Sequence, residues 1–127
     1  MKYISGSDLP FIPSSHEDPQ NPQVIKKVLL EKLDLMPGRV QMVNWAQLKP
    51  HASFNPHYHE DMAEVFLIIE GSVEMTINKE KIILERGDAV VVEPGEIHTM
   101  YNPSDNPIEY IVFGISEDKG GKTVVVS

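Results

Sequence analysis

Cysteine is absent from this sequence, and its absence removes two kinds of structural support. Without thiols the chain can form no disulfides, and any bound metal must be held by nitrogen and oxygen donors. Long apolar runs are also missing, because no stretch approaches the roughly 18 to 20 apolar residues that cross a bilayer. The opening MKYISGSDLPFIP lacks the apolar stretch and cleavage site of a signal peptide. Cytoplasmic residence is therefore the default expectation.

Positive charge is scarce as well. The sequence has 11 Lys and Arg against 19 Asp and Glu, which gives a formal net charge of −8. The pair Lys26–Lys27 is its one basic cluster. A surface of this sign repels a phosphate backbone and does not gain affinity by releasing counterions from it. Nucleic acid and anionic membranes are poor partners, and a small-molecule ligand or substrate is the expected one.

Helical periodicity is the third absence, since no segment keeps a helical apolar period for more than a turn or two. Short apolar or alternating segments separated by turn residues are present instead, which favours an all-β barrel or sandwich. With 127 residues, the chain has the length of one domain with a single core, in which we expect Trp45. The strands are predicted over residues 24–30, 40–48, 63–69, 72–77, 81–84, 89–92, 97–102 and 108–115.

The two ends of the chain differ in sequence pattern from the predicted strands between them. Residues 1–23, called the arm below, contain four prolines and cannot form a helix or a central strand. We expect the arm to pack along the barrel or onto a second subunit. The apolar segment Thr123–Val126 is either an edge strand or a tail that needs a partner. Both ends together predict a homodimer.

The segment HYHEDMAEVFLIIEG contains the most informative residues of the sequence. In an extended strand His57 and His59 point to the same side, so both imidazoles can reach one point. Glu64 follows after a possible turn, and His98 is the natural candidate for a fourth ligand. Two histidines and a carboxylate are a common set for a catalytic divalent metal. A pair of histidines in a strand is by itself more often a surface feature or a hydrogen-bonded part of the core.

These residues resemble the two motifs of the cupin family, which here span residues 51–102. Two positions depart from the motifs: His51 replaces a glycine and Glu93 replaces a proline, which Pro94 follows. The resemblance implies that residues 1–127 are a single cupin domain, a double-stranded β-helix or jelly-roll-like barrel with an internal metal. The implied ligands are His57, His59, Glu64 and His98. The residues that match the motifs are His57, His59, Glu64, Gly71, Gly87, Gly95, His98 and Asn102.

Four protein ligands leave one or two coordination positions open on a five- or six-coordinate ion, so one divalent Fe, Mn, Zn, Ni or Cu per chain suits the set. Counting in steps of two from Glu64 and His98 places Phe66, Met100 and Asn102 beside the metal. The alternative for Phe66 and Met100 is plain barrel core. His51 is either a group near the mouth of the barrel or a surface residue, and no catalytic residue is assigned.

Recognition of a phosphate or a dicarboxylate needs ammonium or guanidinium groups, and none occurs between Pro50 and Asn78 or between Asp88 and Asp118. This gap favours a neutral or aromatic substrate and, with the family resemblance, a dioxygenase. A sugar or sugar-phosphate isomerase and a binding or sensing protein without turnover remain alternatives, as does a purely structural metal. A cation near the site would have to come from Lys26, Lys27, Arg39, Lys49, Lys79, Lys81 or Arg86.

Overall fold

The computed structural model describes residues 1–117 and 122–126, and the regular secondary structure in these residues is almost entirely β-strand. No helix within these residues has the length and apolar character needed to span a membrane. Two short 3-10 helices occur, Gly6–Asp8 and Lys32–Asp34. The strands are β1 Ile12–Pro13, β2 Val24–Glu31, β3 Val40–Leu48, β4 His57–His59, β5 Met62–Glu70, β6 Val73–Ile77, β7 Glu80–Leu84, β8 Ala89–Val92, β9 His98–Tyr101, β10 Ile108–Ser116 and β11 Thr123–Val125.

The strands form two antiparallel sheets that face each other. One sheet has the order β1-β2-β3-β10-β5-β8, and the other has the order β11-β4-β9-β6-β7. The chain alternates between the sheets, as expected for the double-stranded β-helix, and the predicted all-β barrel is confirmed. The apolar core lies between the sheets and includes Leu48, Ile68, Met75, Met100 and Ile108, all of which are fully buried.

Strand β5 shows how the sequence directs its side chains. Its burial alternates residue by residue, with Met62, Glu64, Phe66 and Ile68 buried. A strand turns successive side chains to opposite faces, so a carboxylate two residues before a phenylalanine points into the same interior. Glu64 is therefore brought inside the barrel by the apolar pattern of its own strand.

The arm folds back onto the barrel of its own chain. Strand β1 pairs with β2, with Ile12 opposite Lys26, and the Lys27 ammonium donates to the Gly6 carbonyl at 2.7 Å. The expected core position of Trp45 is wrong: its side chain lies on the outer face of the sheet, where the arm covers it at Gly6. The cause is register, because the neighbouring Asn44 and Ala46 take the inward face of β3.

The C-terminal segment is an edge strand. Strand β11 pairs with β4, which places Thr123 opposite His59 and Val125 opposite His57. The Val126 amide also donates to the Pro56 carbonyl at 2.9 Å. Both ends of the chain therefore lie on surfaces of the same chain, and a second subunit is not needed to accommodate them.

Candidate metal centre

Three imidazoles meet on the inner face of β4 and β9. His57 and His59 share a face of β4, and His98 of β9 pairs directly with His57 across the ladder. Side chains directly opposite one another in antiparallel strands are in contact. The ring centres lie 4.4 Å apart for His57 and His98, 5.2 Å for His57 and His59, and 5.7 Å for His59 and His98.

Glu64 completes this group from the opposite sheet. Its Oε1 lies 2.8 Å from Nε2 of His59 and 3.2 Å from Nε2 of His98. One potential donor atom from each of the four residues lies within 4.8 Å of all the others. All four side chains are buried, with 1% to 7% of their surface exposed. The structure thus brings together His57, His59, Glu64 and His98, the set to which the sequence motifs point.

The outer nitrogens of the three imidazoles are held by their surroundings. Nδ1 of His57 lies 2.7 Å from the Asn55 carbonyl, and Nδ1 of His98 lies 3.0 Å from the Glu96 carbonyl. A carbonyl only accepts, so these Nδ1 atoms carry hydrogens, and the Nε2 atom of a neutral ring then presents a lone pair. His59 is held by the Thr123 hydroxyl, 3.0 Å from its Nδ1. Such outer contacts fix the orientation of metal-ligating histidines.

This donor set fits a divalent metal. A neutral His98 directs its Nε2 lone pair at the Glu64 carboxylate 3.2 Å away, which requires a proton or a cation between the two atoms. Three imidazole nitrogens and one carboxylate oxygen form a ligand set that Fe, Mn, Zn, Ni and Cu all accept. The buried cluster of His57, His59, Glu64 and His98 could therefore bind one such ion.

The protein environment also favours the protonation states that metal ligation requires. Burial lowers the pKa of His57 to about 4, which keeps the ring neutral at neutral pH. Burial alone would raise the pKa of Glu64, but the hydrogen bonds that its carboxylate makes with His59 and His98 outweigh this effect and lower the pKa to about 2. Metals bind neutral imidazoles and ionised carboxylates. These two ligands are thus prepared for an ion.

These shifts predict that the metal-free protein loses stability in acid. The pKa of His57 falls from 6.5 to about 4 on folding, so the unfolded chain takes up this proton first. The contribution of His57 to the free energy of unfolding is therefore fully present above about pH 6.5. Up to about 3 kcal/mol of that free energy is lost as the pH falls towards 4. Glu64, whose pKa falls from 4.5 to about 2, adds a further loss below pH 4.5.

Urea unfolding of chelator-treated protein at several pH values measures this loss. His57→Gln should flatten the fall between about pH 6.5 and pH 4 and leave the steeper loss at lower pH. His51→Ala is the control, because His51 is exposed. An unfolding free energy that stays constant from about pH 7 to pH 4 in the native sequence would contradict the assignment of His57 as a buried neutral ring.

A cavity opens beside the four ligands. Its volume is about 200 Å³, and His57, His59 and Glu64 form part of its wall. Phe54, Phe66 and Tyr110 supply an aromatic side, and Phe66 is one of the residues predicted from the sequence to lie beside the metal. The remaining polar wall consists of Ser14, Ser15, His16, Lys26, Gln41, Asn44 and Thr123.

The two other predicted pocket residues lie elsewhere. Met100 is a fully buried part of the apolar core. Asn102 organises a loop: its amide donates to the carbonyls of Leu48, Lys49 and Asn106, and its Oδ1 accepts from Ser104. Counting in steps of two gave the correct face of β9, but an inward side chain can meet core or loop as well as cavity. His51 is on the surface, 2.7 Å from Asp105.

His16 is a residue of the site that the sequence did not reveal. The arm carries it into the cavity wall, where its ring centre lies 4.4 Å from that of His57. Its Nδ1 is buried without a hydrogen-bond partner in the described part of the chain, and burial lowers its pKa. No periodicity could have placed it, because His16 lies in an irregular proline-rich segment.

Lys26 was named only as one of seven possible sources of a cation near the site, and Asn44 was missed as a cavity residue. Each was within reach of sequence reasoning, because Val24, two residues before Lys26, is apolar and inward, as is Ala46, two residues after Asn44. Period two places Lys26 and Asn44 on the same inner face as those neighbours. The signal was present in the strands, but a charged and an amide side chain are usually assigned to the outside.

Fold and site together define a class of protein: a double-stranded β-barrel whose interior holds a cluster of three histidines and one glutamate that could bind a metal. A family model described as the cupin domain matches residues 44–114, which include all four of these residues. The chain belongs to the cupin family.

The curated proteins that this chain resembles in sequence carry names that refer to different activities. The chain is 36% identical over 70 residues to the tetracenomycin polyketide synthase protein TcmJ of Streptomyces glaucescens, a match that covers 55% of this chain and 46% of that protein. The matched region thus spans less than half of this relative. A much smaller share, 15%, is covered in the mannose-1-phosphate guanylyltransferase of Klebsiella pneumoniae, which is 28% identical over 69 residues and 54% of this chain.

Solved structures show the same fold at low identity. A predicted oxalate decarboxylase from Thermotoga maritima superposes with a TM-score of 0.80 at 21% identity, covering 91% of this chain and 100% of the other. The polyketide cyclase RemF of Streptomyces resistomycificus gives 0.79 at 19% identity, covering 100% and 87%. At this level of identity the likeness supports the fold and leaves the reaction open.

Proposed function

We propose that the protein is an enzyme that uses one divalent transition metal to act on a small organic molecule as a dioxygenase. The observation that carries this proposal is the cavity of about 200 Å³ that opens on the buried ligand cluster. A metal that only stabilises a fold has a closed ligand shell and needs no cavity beside it. An ion with open positions next to a ligand-sized cavity is the arrangement of a catalytic site.

The chain's own residues supply binding and orientation. When bound, a divalent metal would provide Lewis-acid chemistry and, if redox-active, reaction with O2. His57, His59, Glu64 and His98 would hold it, with Asn55, Glu96 and Thr123 fixing the imidazoles from behind. Phe54, Phe66 and Tyr110 would exclude water and contact the substrate body. The substrate is small, because a cavity of about 150 Å³ holds one benzene ring.

The isomerase alternative receives less support from the cavity. A phosphate group requires several cationic or N–H donors. Lys26 is the single Lys or Arg among the described residues that line the cavity. One ammonium is sufficient for a carboxylate or an enolate and insufficient for the usual phosphate site.

The relative TcmJ favours a second candidate, action on an aromatic polyketide. It is named as a polyketide synthase protein and is 36% identical over 70 residues. The cavity of about 200 Å³ holds about one ring, so the remaining rings of such a substrate would extend through its opening. Aromatic substrates with metal-binding hydroxyls are common to this candidate and to the dioxygenase.

Metal analysis followed by oxygen uptake tests the proposal. Protein loaded with Fe(II), and in parallel with Zn(II), is assayed against catechols, flavonols, enediols and polyphenolic polyketides. We expect O2 consumption with Fe(II) and at least one of these substrates, and none with Zn(II) or with His98→Ala. Binding without turnover under every metal would favour the sensing alternative, and absence of both binding and turnover would favour a structural metal.

We also propose that the protein is a cytoplasmic homodimer. The support comes from unpaired edges: β7 and β8 each end one of the two sheets and expose Ile83 by 63% and Val91 by 49%. Exposed apolar edge strands are commonly covered by association. Light scattering at micromolar concentration should give twice the chain mass of 14.3 kDa. Ile83→Lys should shift the mass towards the monomer, whereas a monomeric native protein would refute the proposal.

A further inference from the structure

The cavity has a second polar region, built by β2 and β3 away from the metal ligands. Lys26 lines it, whereas the adjacent Lys27 points outwards and donates to the Gly6 carbonyl. Within the described part of the chain, the Lys26 ammonium has no hydrogen-bond or ion-pair partner. Burial lowers the pKa of Lys26, and the carboxylate of Glu64 only partly opposes this effect. Lys26 therefore lines the cavity without an ion-pair partner in the described part of the chain.

Asn44 adds an unpaired acceptor to the same region. Its side chain is only 5% exposed, and its Oδ1 is buried without a hydrogen-bond partner in the described residues. Lys26 lies opposite Ala46 in the ladder, so Asn44 is the diagonal neighbour of Lys26 on the inner face. Buried acceptors are nearly always satisfied in native proteins, by the chain, by water or by a ligand. Lys26 and Asn44 therefore offer a cation and an acceptor side by side.

The rest of the cavity limits the ligand that could use this pair. Phe54, Phe66 and Tyr110 form an aromatic wall suited to a planar ring. The volume of about 200 Å³ is close to that which holds a single ring. A phosphate is disfavoured, because it needs several cationic or N–H donors and Lys26 is the single Lys or Arg among the described residues that line the cavity. A carboxylate for Lys26 and a hydroxyl hydrogen for Asn44 would satisfy both groups.

We propose that Lys26 and Asn44 form a binding subsite for ring-sized hydroxy acids. The Lys26 ammonium pairs with the carboxylate of the ligand, Asn44 Oδ1 accepts a hydrogen bond from its hydroxyl, and the ring packs on the aromatic wall. This inference rests on the proposed function only in using the same cavity, because such binding requires no turnover. It names the substrate class that the metal site would receive.

Calorimetric titration with the three isomers of hydroxybenzoate tests the subsite, using Zn(II)-loaded and chelator-treated protein that comprises residues 1–127. Each isomer is matched with its neutral hydroxybenzamide and with benzoate. Lys26→Met should weaken the best-binding hydroxybenzoate by roughly tenfold or more, as expected for a lost charged hydrogen bond. Its affinity for the amide should not change. Asn44→Ala should weaken hydroxybenzoate binding and leave benzoate binding unchanged.

Lys27→Met is the matched control, because Lys27 is the next residue in the sequence and lies on the outer face. This variant should bind every probe as the native protein does. Metal content should be the same in all these variants, because none removes a ligand of the cluster. Equal affinity of Lys26→Met and native protein for hydroxybenzoate would overturn the subsite, as would failure of all three isomers to bind at millimolar concentration. If Lys26→Met loses hydroxybenzoate binding but the native protein shows no oxygen uptake in the Fe(II) assay, the subsite stands and only the proposed function is refuted.

Discussion

Replacing His98 by alanine should abolish stable metal binding. His98 supplies one of four donor atoms that lie within 4.8 Å of one another, and its Nε2 also contacts Glu64 at 3.2 Å. Removing a residue that merely hydrogen-bonds to a ligand typically weakens metal binding by about 10- to 100-fold. Loss of the ligand itself should therefore weaken it by more than about 100-fold. Metal per chain after dialysis, and affinity from competition with a chelator, give the measurement.

Two further variants separate ligation from folding. His98→Gln keeps most of the buried volume and should lose metal as His98→Ala does, while its circular dichroism stays native. His51→Ala removes an exposed imidazole that pairs with Asp105, and it should keep the full metal content. Full occupancy in both His98 variants would show that the ion binds elsewhere, and a loss in His51→Ala equal to that in His98→Ala would add His51 to the ligands.

The fold and the ligand cluster were accessible from the sequence because both depend on local patterns. Alternation along β5 placed Glu64 inside, and the spacing of His57 and His59 placed both rings on one face. The direct pairing of His57 with His98 needs the ladder register between β4 and β9. No local pattern contains that register, and the family motifs supplied it.

The two departures from the motifs have structural explanations that the sequence alone did not provide. His51 adopts a φ of 56°, a left-handed conformation that glycine takes without strain and other residues take rarely. At the second departure, the Glu93 amide donates to the Glu96 carboxylate at 2.7 Å, a bond that a proline could not make. His51 thus holds a conformation that favours the glycine of the motif, and Glu93 makes a hydrogen bond that the proline of the motif could not make.

Tertiary contacts account for what the sequence left undetermined. His16 reaches the cavity only because the arm docks on β2 through Ile12 and Pro13, a pairing between distant segments with no repeating signal. Trp45 was misplaced for the same reason, because its cover is supplied by the arm. Met100 and Asn102 both lie on the predicted strand 97–102, and Asn102 follows directly on the observed β9, but what each contacts depends on the opposite sheet and the following loop.

Among the described glycines with positive φ, Gly71 is the one whose replacement by alanine should destabilise the protein most. Gly71 has φ +89°, and a Cβ there would lie 2.6 Å from Cγ2 of the fully buried Ile108. Left-handed backbone costs a non-glycine residue about 1 to 2 kcal/mol, and overpacking adds about 1 to 3 kcal/mol. The expected loss is about 4 kcal/mol, or roughly 10 °C or more in the thermal midpoint.

Gly87→Ala provides the matched control for this loss. Gly87 has nearly the same backbone conformation, with φ +90°, but a Cβ there would meet nothing within 4 Å. Its substitution should cost only the backbone contribution of about 1 to 2 kcal/mol, so the difference between the two variants measures the overlap with Ile108. In the double variant Gly71→Ala with Ile108→Ala, the combined loss should be smaller than the sum of the single losses, because the clashing group is removed. Equal losses in Gly71→Ala and Gly87→Ala, with strict additivity in the double variant, would mean that Ile108 does not press against this turn.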